Sequence, residues 1–430
     1  MAYTYDTFSD LKTELARRLS DTGYVFWTAN ELGLYLKEAI RVLNAFSGYY
    51  RERVTFSTSS GTAFYTLPDQ VTNLAYSITT RNLIEQLQFH LLESTSSQVT
   101  WAGTSMFTMA DLEDALTRRR NQLLHETACR VSRSTTLNVP PDGLVTLPDT
   151  AMDVLRVIYY DADSRYYTLY KSSEAYRGVD SGTPFAYTQH NTSPLTIQIS
   201  PPPIDSGYID IITVDAPADL TASGNELLNI PDDYAWVVKW GALADLFAKD
   251  GEARDAIRAG IALKFYNAGI NLIRSQRTVI SAEINGRNVE IAPIFSADST
   301  NAGWQSRQDT PDSVLIVGPN MIALSPVPDG AHAVTLDIVR NAEIPSADDD
   351  NVQIGREAKE AVLGWAEMLA TFKMGGYEME VGRRRSKLMP DFAAIYSERL
   401  YGSNNIQDAT KPMWAASRMK DNTIMMEEEA

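Results

Sequence analysis

The side chains most often used in catalysis or metal binding are few in this sequence and widely separated. The four histidines are His90, His125, His190 and His332. Zinc sites need three or four ligands at short, defined spacings, and no two of these histidines have the i,i+4 spacing of a helical ligand pair. Cys129, the single cysteine, follows His125 by four positions. Two ligands do not make a site, so we interpret this pair as structural.

An acidic run at Asp348, Asp349 and Asp350 is the second place where chemistry could occur. Calcium loops require glycine at their sixth position, and Ile354 stands there if Asp349 is first. Turn-forming and capping roles explain these acids instead. The sequence also lacks a G-x-S-x-G elbow, a P-loop and a dinucleotide fingerprint. We therefore predict no catalytic residue, no cofactor and no metal site, and expect that the protein is not an enzyme.

The charge balance argues against a protein that grips DNA. The 430 residues include 55 acidic and 38 basic side chains, for a formal charge of −17. Phosphate binding needs a basic footprint, whereas a surface that DNA slides past would suit an acidic chain. Two basic clusters, Arg118–Arg120 and Arg383–Arg385, are interpreted as solvated helix faces, with contacts to an acidic partner as the alternative. We predict no transmembrane helix, no signal peptide and synthesis in a reducing cytoplasm.

The elements that would position these residues come in repeats. Thr-Leu-Pro-Asp ends at position 69 and again 80 positions later. Upstream of each copy, Thr28 and Thr108 open a capping box, leucines follow at helical spacing, and strand-forming residues come next. This predicts a unit A of helix, loop, helix and strand pair. The repeated corners, interpreted as structural, are Leu67, Pro68, Asp69, Leu147, Pro148 and Asp149.

A second repeat lies further along the chain, with an offset of about 125 positions. "ISPPP" and "LSPVP" each follow a strand, and each copy then enters a helix that carries Trp240 or Trp365 on an apolar face. The Asn285-Gly286 pair predicts a tight hairpin upstream. This unit B is a hairpin, a second strand pair and two helices. The polar segment 296–313 is expected to be a long loop.

These units predict an α+β fold: helical bundle elements with antiparallel β-sandwich or hairpin regions, internally duplicated. The predicted boundaries are 1–80 and 81–151 for the copies of unit A, 152–276 and 277–402 for those of unit B, and 403–430 for an extended C-terminal arm. Either the units are tandem duplicates or a module of about 82–275 is nested inside another. Tandem duplication predicts that 1–78 packs on 82–150, and nesting predicts that it packs on 277–402.

The stretch "DTGYVFWTANELGLYLKEAIRVLNAFSGYYRERVTFST", followed by "GTAFYTLPD", resembles head-to-tail adaptor, or connector, proteins of tailed bacteriophages. The late "ISPPP" and "LSPVP" strands with their tryptophan helices extend the resemblance over about 6–402. It implies a structural virion protein in the neck, a homo-oligomeric ring of about twelve copies between the portal protein and tail or nozzle proteins. DNA would pass through the ring during ejection without specific binding, and no membrane is involved. The chain is longer than one such module.

The resemblance also suggests how such a ring would dock. The C-terminal arm is rich in methionine and ends in acids, and adaptable segments of this kind often fold against a partner. A frayed terminus is the alternative. The predicted portal-binding residues are Lys411, Pro412, Met413, Trp414, Arg418, Met419, Met425 and Met426. Two other functions stay open: a tail, baseplate or fibre-attachment component, and a virion-carried cell-wall hydrolase.

Overall fold

The computed structural model describes residues 5–401, except 72–73, 75, 93–105, 164, 174–180, 222–225, 252–253, 276–277 and 301–302. The helices in these residues are α1 (Phe8–Arg18), α2 (Ala29–Ser47), α3 (Leu67–Gln70), α4 (Thr80–His90), α5 (Met109–Thr127), α6 (Ala235–Ala248), α7 (Ala256–Ser275), α8 (Ile294–Thr300), α9 (Arg356–Met374), α10 (Gly376–Ser386) and α11 (Leu388–Tyr401).

The strands in the same residues are β1 (Arg51–Ser57), β2 (Phe64–Thr66), β3 (Val131–Val139), β4 (Leu144–Thr146), β5 (Ala151–Tyr160), β6 (Tyr166–Lys171), β7 (Ala186–His190), β8 (Thr196–Ser200), β9 (Gly207–Asp215), β10 (Val279–Ile284), β11 (Arg287–Asn288), β12 (Glu290–Pro293), β13 (Gln308–Asp309), β14 (Ser313–Gly318), β15 (Met321–Ser325), β16 (Val327–Pro328) and β17 (Ala333–Val339). The predicted α+β class is confirmed.

Local sequence explains where the long helices begin and end. Thr28 and Thr108 accept hydrogen bonds from backbone N–H groups in the first turns of α2 and α5, as predicted. The complete capping box forms at Thr108, whereas the Glu31 carboxylate after Thr28 binds Lys373 instead. Both helices end at a residue in the left-handed conformation, Gly48 after α2 and Ala128 after α5, with φ of 58° and 48°. Glycine adopts this backbone without strain, whereas alanine does not. The two helices therefore stop in the same way with different residues.

The seven-stranded sheet and the two four-stranded sheets, taken end to end, share one strand order. The seven-stranded sheet runs β3-β9-β5-β6-β7-β8-β4, the four-stranded sheets run β1-β17-β10-β11 and β12-β14-β15-β2, and β13 pairs with β16 in a separate two-stranded sheet. Only Val289 separates β11 from β12, so these two pieces continue one another in the same order. Most of these strand pairs are antiparallel, as predicted. The parallel pairs are β6 with β7, β12 with β14 and β13 with β16, which the sequence did not predict.

The strand pairing joins distant parts of the chain. β1 pairs along its whole length with β17, and Thr55 lies opposite Thr335, 280 positions away. β3 pairs with β9, and β4 with β8. Residues 51–57 thus pair with 333–339. This partner lies inside 277–402, the segment on which the nested arrangement predicts that 1–78 packs. The unit boundaries and the origin by duplication stay predictions.

One helical core serves both sheets. Buried side chains from α1, α2, α4, α5, α6, α7, α9, α10 and α11 form a single apolar cluster. It includes Trp240 and Trp365, as predicted, with exposed fractions of 0% and 1%. Each sheet wraps around its own smaller core, and a fourth cluster lies between the two sheets. The helices of both halves therefore pack as one layer, and each half contributes its own β unit.

The segment 296–313 is not the long loop that its polarity indicates. It contains the end of α8, a 3-10 helix at Trp304–Ser306 and β13. Trp304 is buried, and its indole N–H donates to the Asp298 carboxylate at 3.0 Å. The same carboxylate accepts two hydrogen bonds from Arg156 of β5, at 2.6 and 2.7 Å. One buried aromatic ring and one ion pair thus fold this polar segment between the sheets.

Two further sequence expectations are corrected. Arg120 is not on a solvated helix face, because it is buried and its guanidinium donates to the carbonyls of Pro217 and Ala218. Burial lowers the pKa of Arg120 to about 10. The last predicted helix is two helices, α10 and α11, which meet at Lys387. Pro390 is tolerated in the first turn of a helix but not in a helix interior, so the chain restarts there.

Candidate interaction surface

Three turns meet at the end of the helical layer where α9 and α6 finish. Trp27, before α2, donates its indole N–H to the Ala370 carbonyl at 3.1 Å, and the Lys373 ammonium lies 4.8 Å from the Phe26 ring centroid. Five large apolar side chains are exposed here, from the loop before α2, the start of α7 and the α9–α10 turn. We call them the apolar tip: Val25, Phe26, Ile257, Met374 and Tyr377.

The loop before α2 is held in one shape by a single carboxylate. Asp21 accepts hydrogen bonds from the backbone N–H groups of Val25, Phe26 and Trp27, at 2.8, 2.9 and 2.9 Å. These donors, the Trp27 N–H first, lower the pKa of Asp21. The exposed Val25 and Phe26 side chains are therefore presented by an ordered loop, which reduces the entropy lost when a partner binds.

A groove of about 700 Å³ continues from the tip between α7 and α10. Trp236, Phe265 and Trp365 lie beneath it and are only 2%, 4% and 1% exposed, whereas the exposed Ile257 and Met374 belong to both groove and tip. The indole N–H groups of Trp236 and Trp365 are buried, and neither has a hydrogen-bond partner among the described residues. Both nitrogens are enclosed by packing beneath the groove, so they do not face its opening.

The rim of the groove carries charges of both signs. Its basic side chains are Arg258, Lys264 and Arg383, and its acidic ones are Asp255 and Glu380. Arg258 pairs with Asp255 at 3.0 Å, and Arg383 with Glu380 at 2.9 Å. The rim is therefore mixed in charge, and its two arginines are already paired with its two acids.

A buried ion pair fixes the helices below the tip. Lys373, in the last turn of α9, donates to both carboxylate oxygens of Glu31 at 3.1 Å. The Tyr35 hydroxyl donates to the same carboxylate at 2.6 Å. Burial raises the pKa of Glu31, although its partners favour the charged form. The pair ties the start of α2 to the end of α9 and so supports the tip.

A second buried cluster joins the two halves of the helical layer. The Lys239 ammonium of α6 donates to Glu38 of α2 and lies 3.4 Å from His90 Nε2. These three residues are 0%, 3% and 0% exposed, respectively. Burial, and next the Lys239 charge, lower the pKa of His90 well below its usual value. A lysine, a carboxylate and a neutral imidazole could act in acid–base catalysis at an open site. These three side chains are enclosed in the core, which indicates a structural role.

Sequence reasoning did not find this cluster, although a signal was present. Lys239 interrupts the apolar run "AWVVKWGALADLF" in α6. A charged residue in such a helix is rarely buried without a partner, so its presence predicts a buried acid nearby. The groove had no comparable signal, because its walls come from helices about 120 residues apart along the chain that only packing brings together.

The predicted corners occupy matching places on the β side. The Leu67 N–H donates to the Asn320 carbonyl at 2.8 Å, next to the start of β15, and the Leu147 N–H donates to the Leu195 carbonyl at 2.9 Å, next to the start of β8. Pro68 and Asp69 lie in α3, and Pro148 accepts a hydrogen bond from the Ala151 N–H. Asp149 is exposed and belongs to no helix or strand. The predicted portal-binding residues, from Lys411 to Met426, lie outside the described residues.

The histidines and acids considered for metal binding are dispersed. His125 is exposed and lines a polar cavity beside the Asp153–Lys171 ion pair, whereas Cys129 is buried. Asp350 accepts backbone hydrogen bonds from residues 346 and 347, which is the turn-forming role expected of this run. In the described parts of the chain, no group of three or more His, Cys, Asp or Glu residues is placed to hold a metal ion. None of the helices described is long and apolar enough to cross a bilayer.

Comparison with known protein families assigns the chain to one family. The model of the SU10 adaptor protein family matches it over residues 6–106 and 78–287. The first match begins two residues before α1, and the second begins two residues before α4. No curated protein sequence matches the chain. The two matches together span well over half of the 430 residues, so the chain belongs to the SU10 adaptor protein family, a family of phage head–tail adaptors.

Proposed function

We propose that this protein is a ring-forming head-to-tail adaptor in the virion neck, where it joins the portal protein to the tail. The observation that carries the proposal is the apolar tip with its adjoining groove, in a chain of an adaptor family. Exposed apolar side chains that cluster beside a groove are typical of a protein–protein contact. In this reading the tip is a docking surface and the β units face a second partner or a neighbouring subunit.

The ring would consist of about twelve copies and surround the DNA path. A closed ring uses a heterologous interface, in which one flank of a subunit meets the other flank of its neighbour. The net charge of −17 supports a channel wall that repels the phosphate backbone, so that DNA passes without adhering. The partners would be the portal protein on one side and tail or nozzle proteins on the other.

The segment 403–430 would act as an arm that inserts between portal subunits. Its apolar side chains, Met413, Trp414, Met419, Met425 and Met426, can adapt to a partner surface. Lys411, Pro412 and Arg418 complete the proposed contact. Ordering such a segment costs conformational entropy, which its apolar residues must offset on binding.

We also propose that the chain holds two copies of one module, with a module of about 82–275 inserted into the other. The identical strand order and pairing directions of the two sheets support this reading. The paired corners that follow β2 and β4 support it too. Thr-Leu-Pro-Asp would then occur twice because each copy needs the same corner where its short edge strand ends.

Electron microscopy of the purified chain mixed with isolated portal rings tests this function. The full chain should add a ring of density below the portal, and a chain lacking residues 403–430 should not. Tyr377→Ser, at the apolar tip, should weaken docking, whereas Tyr170→Ser should not, since Tyr170 is similarly exposed (73% against 80%) but lies on β6. Portals that stay bare with the full chain would instead support a tail or baseplate component.

A further inference from the structure

The two β units of the chain pack on each other through two different faces. The outward side of β3, β9 and β5 forms one of them, which we call the arginine face. Its Arg133 guanidinium carbon lies 4.0 Å from the centroid of the Phe64 ring, and that of Arg156 lies 5.8 Å from the centroid of the Trp304 ring. We call the opposing face, formed by β2, β14, β15 and α8, the receiving face. Arginine side chains of one β unit thus lie on aromatic rings of the other.

Apolar side chains fill the rest of this contact. Val131 and Ile212 of the arginine face belong to one buried cluster with three side chains of the receiving face, Leu315, Met321 and Ala323. None of these five side chains is more than 6% exposed. The chain therefore contains one complete example of how two such β units pack together.

Each β unit also has the counterpart of the face that the other unit uses. The shared strand order makes β1, β17 and β10 equivalent to β3, β9 and β5, and it makes β4 and β8 equivalent to β2 and β15. Arg53 stands at the position of Arg133, and Leu144 stands at the position of Phe64, each 80 positions away. Arg53 and Leu144 are both exposed. The chain therefore presents a second arginine face and a second receiving face to solvent.

The arginine is held by a carboxylate of its own sheet in both β units. Arg133 donates to both oxygens of Asp210, at 2.9 and 2.7 Å, and the Arg53 guanidinium lies 2.6 Å from the Glu283 carboxylate. Such a pair fixes the direction of the guanidinium and leaves its flat surface available for stacking. The side chain of Arg53 is 56% exposed, against 29% for Arg133. Arg53 is thus oriented as Arg133 is, but without a cover.

The two exposed faces are more polar than the two covered ones. Asp337 stands on β17 where β9 has Ile212, and Thr196 stands on β8 where β15 has Met321. A contact between chains that are made separately needs this polarity, because a large exposed apolar patch would cause aggregation before assembly. Interfaces of this class are about as polar as the rest of a protein surface and are enriched in arginine.

We propose that the exposed arginine face of one chain packs on the exposed receiving face of a second copy, as the two β units pack within one chain. Arg53 then lies on Leu144, in the way that Arg133 lies on Phe64. Because the two faces differ, the contact can repeat from chain to chain and close a ring. The inference rests on the two-module arrangement proposed above and gives the proposed ring its subunit interface.

Photo-crosslinking between labelled copies tests the proposal. Leu144 is replaced by p-benzoylphenylalanine, isotopically light and heavy full-length chains are mixed at high concentration, and crosslinked peptides are identified by mass spectrometry. Light–heavy products that join position 144 to β1, β10 or β17 are expected. The same replacement at Leu263 is the matched control, because Leu263 is similarly exposed (40% against 44%) but lies on α7. It should give no product with these strands.

A charge reversal tests the role of the arginine. Arg53→Glu should lower the yield of light–heavy products by roughly fivefold or more, because it removes the stacking cation and places two acids side by side. Arg81→Glu is the control and should leave the yield unchanged, since Arg81 is also exposed and paired with one acid but lies on α4.

Three outcomes would overturn the proposal: products within one chain only, crosslinks to other surfaces of the second copy, or a yield that Arg53→Glu does not change. The absence of light–heavy products at every concentration would overturn it too. Because no portal is present, failure of portal docking would leave a positive result standing. Portal docking without these crosslinks would instead keep the adaptor function and remove only this subunit interface.

Discussion

Replacing Asp233 by asparagine should make the stability of the protein less sensitive to rising pH. Asp233 precedes α6 and is buried. Its carboxylate accepts hydrogen bonds from the Asn44 amide at 2.6 Å and from the Ala342 N–H at 3.1 Å, so it links α2 to the segment after β17. Burial outweighs these donors and the Arg41 charge and raises the pKa of Asp233 to about 7.

The sign and size of the effect follow from this pKa. The folded value lies above the unfolded value of 3.8, so between them the folded protein holds a proton that the unfolded chain has lost. The stabilising contribution is complete below about pH 4 and disappears as the pH rises through 7. Three pKa units correspond to about 4 kcal/mol in total. Between pH 4.5 and 7 the wild type should lose about 3 kcal/mol relative to Asp233→Asn, which cannot titrate.

Urea unfolding followed by circular dichroism at half-unit pH steps measures this difference. Subtracting the two curves removes the titrations that both proteins share, provided that the variant keeps the same slope against urea. The difference should change by about 1.4 kcal/mol per pH unit over the middle of the range. A difference that is flat, or that grows in favour of the wild type as the pH rises, would refute the assignment of a neutral, buried Asp233.

Other changes probe packing. Lys239→Met leaves Glu38 buried without its partner and should cost about 3–5 kcal/mol by urea unfolding, whereas the double variant with Glu38→Met should recover most of that loss. Ala128→Gly should raise the melting temperature through a gain of about 1 kcal/mol, and Gly48→Ala should lower it by a similar amount, because both positions have positive φ. Asp298→Ala leaves a buried guanidinium unpaired and should cost about 3–5 kcal/mol, read as a lower urea midpoint; an unchanged midpoint would contradict the role of this ion pair between the sheets.

The sequence predicted helix starts and tight turns, because these depend on interactions between residues a few positions apart. The threonines at positions 28 and 108 predict helix starts because a hydroxyl cap acts within one turn. Asn285 and Gly286 form a tight turn with positive φ at both residues, as this pair predicts. The pairing of β1 with β17 was not predicted strand by strand. The comparison of repeats indicated only that 1–78 packs on 277–402, because the register between strands 280 positions apart depends on the assembled core.

The interaction surface was less predictable than the fold. Arg120 looks like part of an exposed basic run, and only the approach of residues 217 and 218 turns it into a buried donor. Trp304 lies in a polar stretch, so the mean hydropathy of that stretch does not indicate that this side chain is buried. The tip is visible in the sequence only as scattered apolar residues in three separate turns. A surface made by turns that meet through packing has no periodic signal.

The pairing of β1 with β17 also bears on how the chain folds on the ribosome. Synthesis at about 5–20 residues per second means that β1 waits roughly 14–56 s before its partner strand is made. The strands of the seven-stranded sheet all emerge within that interval, and their pairing partners lie close behind them. This sheet can therefore form first, while β1 stays an unpaired edge exposed to other nascent chains. Slowed translation before residue 333 would lengthen that exposure and should increase aggregation during synthesis.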